Sequence, residues 1–157
     1  MADETQLKCL LLPLQGTQRL VVPNKLVAEV LLDLQVEESP DIKPKWMSGT
    51  IPWQGRNVPL ISYETLCNMS APAEASAPQH SRCVVLHALQ YRDNTPFFAL
   101  TIAGVPSFEF LDNSNTTESF EQRVESPFVA KNIYINGLSG IIPNIDAISE
   151  LLISRGV

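Results

Sequence analysis

The chain has little of what most catalytic chemistry and most membranes require. Its 157 residues include two histidines, His80 and His87, and three cysteines, Cys9, Cys67 and Cys83. The cysteines are odd in number and widely spaced, with no Cys-x-x-Cys pair, so neither a disulfide framework nor a zinc module is indicated. The histidines have no cysteine or acid at ligand spacing, which argues against a metal centre. Only seven glycines occur, and none forms a phosphate-cradling loop ahead of a helix or a nucleophile elbow, so no cofactor and no catalysis are implied.

Basic residues are scarce too, 11 against 17 acids, giving a net charge of -6. Proteins that bind duplexes displace counterions with clustered cations, and no such cluster exists here, so nucleic acid and anionic membrane surfaces are poor partners. No apolar run is longer than a strand, so no direct membrane insertion is expected. The opening residues, Met1-Ala2-Asp3-Glu4-Thr5-Gln6, are acidic and polar and do not read as a secretory leader. The protein is therefore expected in the cytoplasm, with its cysteines reduced and serving as small apolar fillers.

What is present is β-forming sequence cut by turn chemistry. An apolar content of 45% in 157 residues suits one globular domain. Cys9–Leu14 and Leu20–Pro23 read as a hairpin closed by Gly16. Asn24–Glu29 predicts one turn of helix, followed by a strand from Val30. Met47–Gln54 and Val58–Ile61 predict strands joined by a turn at Gly55-Arg56-Asn57. Pro52 and Pro59 lack the N–H that a central strand donates, which places this hairpin at an edge or a bend. Ser62 is placed to cap a short helix over Tyr63–Cys67. Ser70–Gln79 is small and Pro-rich and is expected to be a mobile loop.

Arg82–Leu89 is a near-continuous apolar strand, and Phe97–Val105 is another long strand. His87 is expected to face outward, and Cys83, at mid-strand, to be a buried inert thiol. Phe108–Leu111 is expected to continue the second strand after the Gly104/Pro106 break. Asp112–Glu121 is polar and expected to be poorly ordered. Phe128–Asn136 predicts a strand, Asn136–Gly140 a hairpin turn, and Asp146 the cap of a closing helix buried through Ile148, Leu151 and Leu152. Val58-Pro59-Leu60-Ile61-Ser62 is echoed by Ile142-Pro143-Asn144-Ile145-Asp146, with the prolines 84 residues apart. Two lobes built on one plan produce such an echo.

Trp46–Leu66 carries the main resemblance. Gly49-Thr50-Ile51-Pro52-Trp53-Gln54-Gly55-Arg56-Asn57-Val58-Pro59-Leu60-Ile61 resembles the "G-x-I-x-x-R-G-x-x-V-P-h-h" pattern of the CheW-like domain family, where h is apolar. Val27-Ala28-Glu29-Val30 is similar to its "V-x-E-V". Phe98–Val105 resembles its long second-lobe strand ending in "G-V", and Gly137 with Ile141–Ile145 its closing hairpin and helix. Trp46, Trp53-Gln54-Gly55 and Pro59–Glu64 are similar to the divergent members found in type IV pilus chemosensory systems. Two positions depart from the pattern. Gln54 stands where the family has arginine, and Ala103 where it often has an acid before "G-V". Both departures point to an auxiliary adaptor over the main coupling protein.

The resemblance implies a mainly β fold: two interlocked five-stranded SH3-like barrel lobes with short helices, in one domain spanning residues 1–157. Lobe one would take about residues 20–80 and lobe two about 81–145, with the terminal segments crossing between them. It implies a non-catalytic adaptor between the cytoplasmic tip of a chemoreceptor and the CheW-like regulatory domain of a CheA-type histidine kinase. The receptor would lie in the groove between the lobes, and exposed apolar residues at the barrel ends would dock the kinase. Partner-contact positions implied by motif are Val27, Glu29, Gly49, Gln54, Gly55 and Gly137. Arg56 is added for its charge on the turn beside Trp53. A generic SH3-like interaction module with an unrelated partner, and a small ligand-binding barrel or enzyme, are the competing classes.

Overall fold

The computed structural model describes residues 6–14, 18–35, 45–69, 80–88, 97–119 and 124–155. Along them the chain runs through one order of elements twice. The first pass is an antiparallel pair, β1 (Leu7–Pro13) and β2 (Arg19–Pro23); a long strand, β3 (Val27–Gln35); a hairpin, β4 (Met47–Trp53) and β5 (Arg56–Ile61); and a short helix, α1 (Tyr63–Leu66). The second is an antiparallel pair, β6 (His80–His87) and β7 (Phe97–Ile102); a strand, β8 (Ser107–Leu111); a three-residue strand, β9 (Thr116–Glu118); a hairpin, β10 (Val129–Ile135) and β11 (Leu138–Pro143); and a helix, α2 (Ile145–Ser154).

The two hairpins share one turn chemistry. Gln54 and Gly55 have φ of 46° and 76°, and Asn136 and Gly137 have 49° and 80°. Positive φ at both central residues is the two-residue turn whose twist matches the flanking strands. Gly137 follows Gly55 by 82 residues, and the helix caps Ser62 and Asn144 stand in the same relation. The repeat is therefore set by turns and caps. The prolines of the sequence echo are not equivalent: Pro59 sits inside β5 opposite Thr50, whereas Pro143 ends β11 opposite Val129.

The passes exchange their first pairs. One sheet has the order β3-β6-β7-β5-β4, the other β8-β1-β2-β11-β10-β9. Parallel junctions join β5 to β7 and β11 to β2. The first lobe is thus built from residues 27–61 with 80–102, and the second from 107–143 with 7–23. This corrects the expected boundary at residue 80, because β6 and β7 find their neighbours in the first half of the chain. It also separates β8 from β7, which the sequence joined. The second sheet has six strands where five were expected, since β9 adds an edge to β10. The Asp112–Asn115 turn that precedes β9 is ordered, contrary to expectation. The Asp112 carboxylate accepts from the Ser114 hydroxyl (2.5 Å) and from the backbone N–H groups of Ser114 (2.8 Å) and Asn115 (3.1 Å), and these bonds, the hydroxyl's first, hold its pKa below the usual range.

The exchange explains the continuous apolar runs. Along β6, Val84 and Leu86 enter a core shared by both sheets, while Cys83 and Val85 enter a smaller core inside the first lobe. Along β1, Leu10 and Leu12 enter the shared core, while Cys9 and Leu11 fill the second lobe. Period-two alternation with both faces buried leaves no polar position. The shared core holds more buried side chains than the two lobe cores together. Helix α2 caps it with Ile145, Ile148 and Leu152. The buried Tyr63 Oη donates to the Phe128 carbonyl at 2.8 Å, tying α1 to the segment entering β10.

Each sheet curls until its edges meet. β3 and β4 are opposite edges of the first sheet, yet Trp53 Nε1 donates to Glu29 Oε1 at 2.9 Å. In the second sheet the Asp112–Asn115 turn links edges β8 and β9, and Asn136 Nδ2 donates to Glu109 Oε1 at 2.8 Å. Glu29 and Glu109 are each the third residue of the strand that crosses into the sheet, so one device closes both barrels.

Candidate functional site

One end of the first barrel gathers one side chain from each of its five strands. Antiparallel pairing, with the one parallel junction between β7 and β5, puts the start of β3, the end of β6, the start of β7, the start of β5 and the end of β4 at the same mouth. Glu29, His87, Phe97, Arg56 and Trp53 stand there. Their contacts run around the mouth. Glu29 accepts from Trp53. The Trp53 and Phe97 rings meet edge-on with centroids 4.8 Å apart. The tilted His87 ring lies 5.0 Å from Phe97. The Arg56 guanidinium sits over the outer part of the mouth, 5.4 Å from the Phe97 ring centroid. Trp53 is buried and Phe97 half-buried, while His87, Gln54, Gly55 and Arg56 are exposed. The mouth therefore has a packed aromatic floor and an exposed polar rim.

The motif positions divide accordingly. Glu29, Gln54, Gly55 and Arg56 come together at the mouth, with half-buried Val27 two residues from Glu29 and packed against the shared core. Gly49 does not join them. It is buried in β4 beside a register shift, with φ of 149°, a backbone serving the strand's bend. Gly137 lies in the equivalent turn of the other barrel. His87 and Phe97 were not singled out from the sequence. His87 is the outward residue closing the Cys83–Leu86 run, and Phe97 is the first apolar residue after Asn94-Thr95-Pro96. Only the register Phe97–His87 makes them neighbours.

A second exposed feature lies on β8. Phe108 and Phe110 are 58% and 52% exposed, and Val105 just ahead of the strand is exposed as well. Phe108 pairs with Leu10 and Phe110 with Lys8, so both rings share the sheet face that sends Leu10 into the shared core. They extend the inter-lobe surface to its open margin, and Lys8 Nζ lies 4.6 Å from the Phe108 ring centroid.

The cysteines are fillers in geometry. Burial pushes the Cys9 thiol up to about 11 and the Cys83 thiol up to about 12, and it also raises Cys67. A protonated buried thiol is a poor nucleophile. Among the described residues, no three His, Cys, Asp or Glu side chains are grouped to hold a metal ion, and no helix is long and apolar enough to cross a membrane.

Residues 8–151 match the family model of the CheW-like domain, in the element order just described. The chain belongs to the CheW-like domain family. No curated protein matches it. Among solved structures it is similar to the scaffolding protein TtCheW from Thermoanaerobacter tengcongensis, with a TM-score of 0.69 at 16% identity, covering 88% of each chain. That likeness establishes the two-lobed β fold. CheW-like domains are non-catalytic scaffolds of chemotaxis systems. Among the described residues of this CheW-like domain, the barrel mouth and the β8 stripe are two surfaces that present aromatic side chains.

Proposed function

We propose that this CheW-like domain is a chemosensory adaptor that couples the cytoplasmic tip of a chemoreceptor to a CheA-type histidine kinase. It would act in the cytoplasm, recruited to membrane-anchored receptor arrays. Two separate exposed surfaces carry the reading. An adaptor must hold two partners at once, and the first-barrel mouth and the β8 stripe belong to different sheets. The β8 stripe suits an apolar helical hairpin laid along the inter-lobe margin. The mouth suits a folded domain, since a packed aromatic with a polar rim is the usual make-up of an interface anchor. Val27, Glu29, Gln54, Gly55 and Arg56 are the proposed contacts there, with Gly137 in the corresponding place on the second barrel.

The type IV pilus setting is proposed on Trp46, Trp53-Gln54-Gly55 and Pro59–Glu64. Tyr63 and Glu64 are buried, so that part of the likeness concerns how the lobe is built and not what it touches. One observation favours a second reading, a barrel module with an unrelated partner: Gln54 carries no guanidinium fork.

Titration calorimetry with the kinase's CheW-like regulatory domain and with a receptor tip separates the two readings. Gln54→Ala should weaken binding to one of them by up to about tenfold, the worth of one interfacial hydrogen bond. Gln54→Arg should strengthen it. Absence of binding to both partners by the native protein would overturn the adaptor role. Native affinity in both variants would move the contact away from this turn.

A further inference from the structure

We infer that the first-barrel mouth is a receptor for a carboxylate, an Asp or Glu side chain presented by a protein partner, with Arg56 as its anchor. The inference takes the mouth to be a contact surface, as the adaptor reading does, and adds the chemistry that it recognises.

Arg56 begins β5 directly after the tight Gln54-Gly55 turn, so its backbone is fixed by the hairpin register opposite Trp53. Its guanidinium is held over the Phe97 ring. A guanidinium in cation–π contact with a ring still has N–H donors to offer, and its planar fork matches a carboxylate. Among the described residues Arg56 has no carboxylate partner, and its contact is the Phe97 ring. The acid of the mouth, Glu29, accepts from Trp53 Nε1 at the barrel seam. His87 flanks the same Phe97 ring and offers a second ring N–H donor. Exposed Gln54 adds an amide donor at the turn. The three donors rim a floor formed by Phe97 and Trp53, which keeps water from one side of the ion pair. In a chain of net charge -6, an arginine with no carboxylate partner among the described residues, set beside an aromatic floor, is a local feature that attracts an acidic group.

The exposure of Arg56 makes the test clean, because substitution there leaves the core untouched. The probe is a short peptide with consecutive glutamates, with its all-glutamine counterpart as control. The readouts are Trp53 emission, isolated in a Trp46→Phe background, and the Arg56 side-chain N–H resonance. The glutamate peptide should produce a saturable change in both signals and the glutamine peptide none. Arg56→Ala should weaken the response about tenfold or more, the scale of a charge-assisted hydrogen bond. Arg56→Lys should retain part of it, since the charge remains without the fork. The response should also fall with added salt. Equal responses to the two peptides, no response, or an unchanged response in Arg56→Ala would overturn the carboxylate site. A parallel titration with the kinase's CheW-like regulatory domain keeps the two ideas apart. If that domain fails to bind while the glutamate peptide binds through Arg56, the adaptor reading falls and the carboxylate site stands.

Discussion

At the residue scale, Glu29 changes its meaning between sequence and structure. By motif it is a contact position. In the fold its Oε1 accepts from Trp53 Nε1, across the seam between the two edges of the first sheet. Trp53 is largely buried, so losing that acceptor leaves an indole N–H without a partner in a nearly dry site. Glu29→Ala should therefore cost about 1–3 kcal/mol of stability, read from the urea midpoint, while Glu29→Gln should cost clearly less because an amide oxygen still accepts. An alanine variant as stable as the native chain would mean that the seam closes without this bond. The same distinction governs the glycines. A Cβ on Gly55 would meet nothing within 4 Å, but its φ of 76° is strained for other residues, so its glycine serves the turn.

At the element scale, local sequence signals located most elements and missed some ends. The expected helical turn at Asn24–Glu29 is a three-residue 3-10 turn, Asn24–Leu26, because Val27 already pairs with Leu86 as β3 begins. The expected turn at Gly55-Arg56-Asn57 is shifted to Gln54-Gly55, because the register pairs Trp53 with Arg56. The closing helix starts two residues earlier than expected. Asn144, not Asp146, is its cap, and the Asn144 side chain accepts from the Ala147 N–H at 3.1 Å. Asn144→Ala should lower stability by about 1 kcal/mol. Asp146→Ala should cost less, since its charge acts only on the helix dipole. Paired thermal melts of the two variants would decide this, and the reverse order would restore Asp146 as the cap. The expected mobile loop at Ser70–His80 falls outside the described residues except for His80, which opens β6.

At the scale of the whole molecule, neither pass of the repeat can close its own barrel. β1 and β2 complete the sheet of β10 and β11, and β6 and β7 complete that of β4 and β5. The largest core lies between the sheets. A chain divided into residues 1–74 and 75–157 should therefore yield two halves that each lack a cooperative unfolding transition. Mixed, they should recover one transition and the native circular dichroism spectrum. Independent folding of either half would show that the exchange is not needed for stability. The topology also gives both lobes the same seam acid and the same turn, but the residues after the turns differ. Arg56 gives the first mouth a guanidinium, whereas Leu138, its counterpart 82 residues on, puts an apolar side chain at the second.

Sequence by itself determined the β class, the two-fold repetition, the turn glycines at 55 and 137, the capped helices and the near-continuous apolar run of the strand at Arg82–Leu89. Each of these follows from short-range rules, namely side-chain period, φ preference and cap chemistry. It also carried half of the mouth, because Gln54, Gly55 and Arg56 are contiguous. Only the tertiary structure decided which strands share a sheet, that Glu29 closes a seam, and that His87 and Phe97 stand beside Arg56. A strand apolar on both faces declares that it is central, but not which strand lies next to it. The partner is chosen by the shared core, where a long-range exchange of hairpins buries more apolar surface than local pairing can, and no local rule encodes that choice.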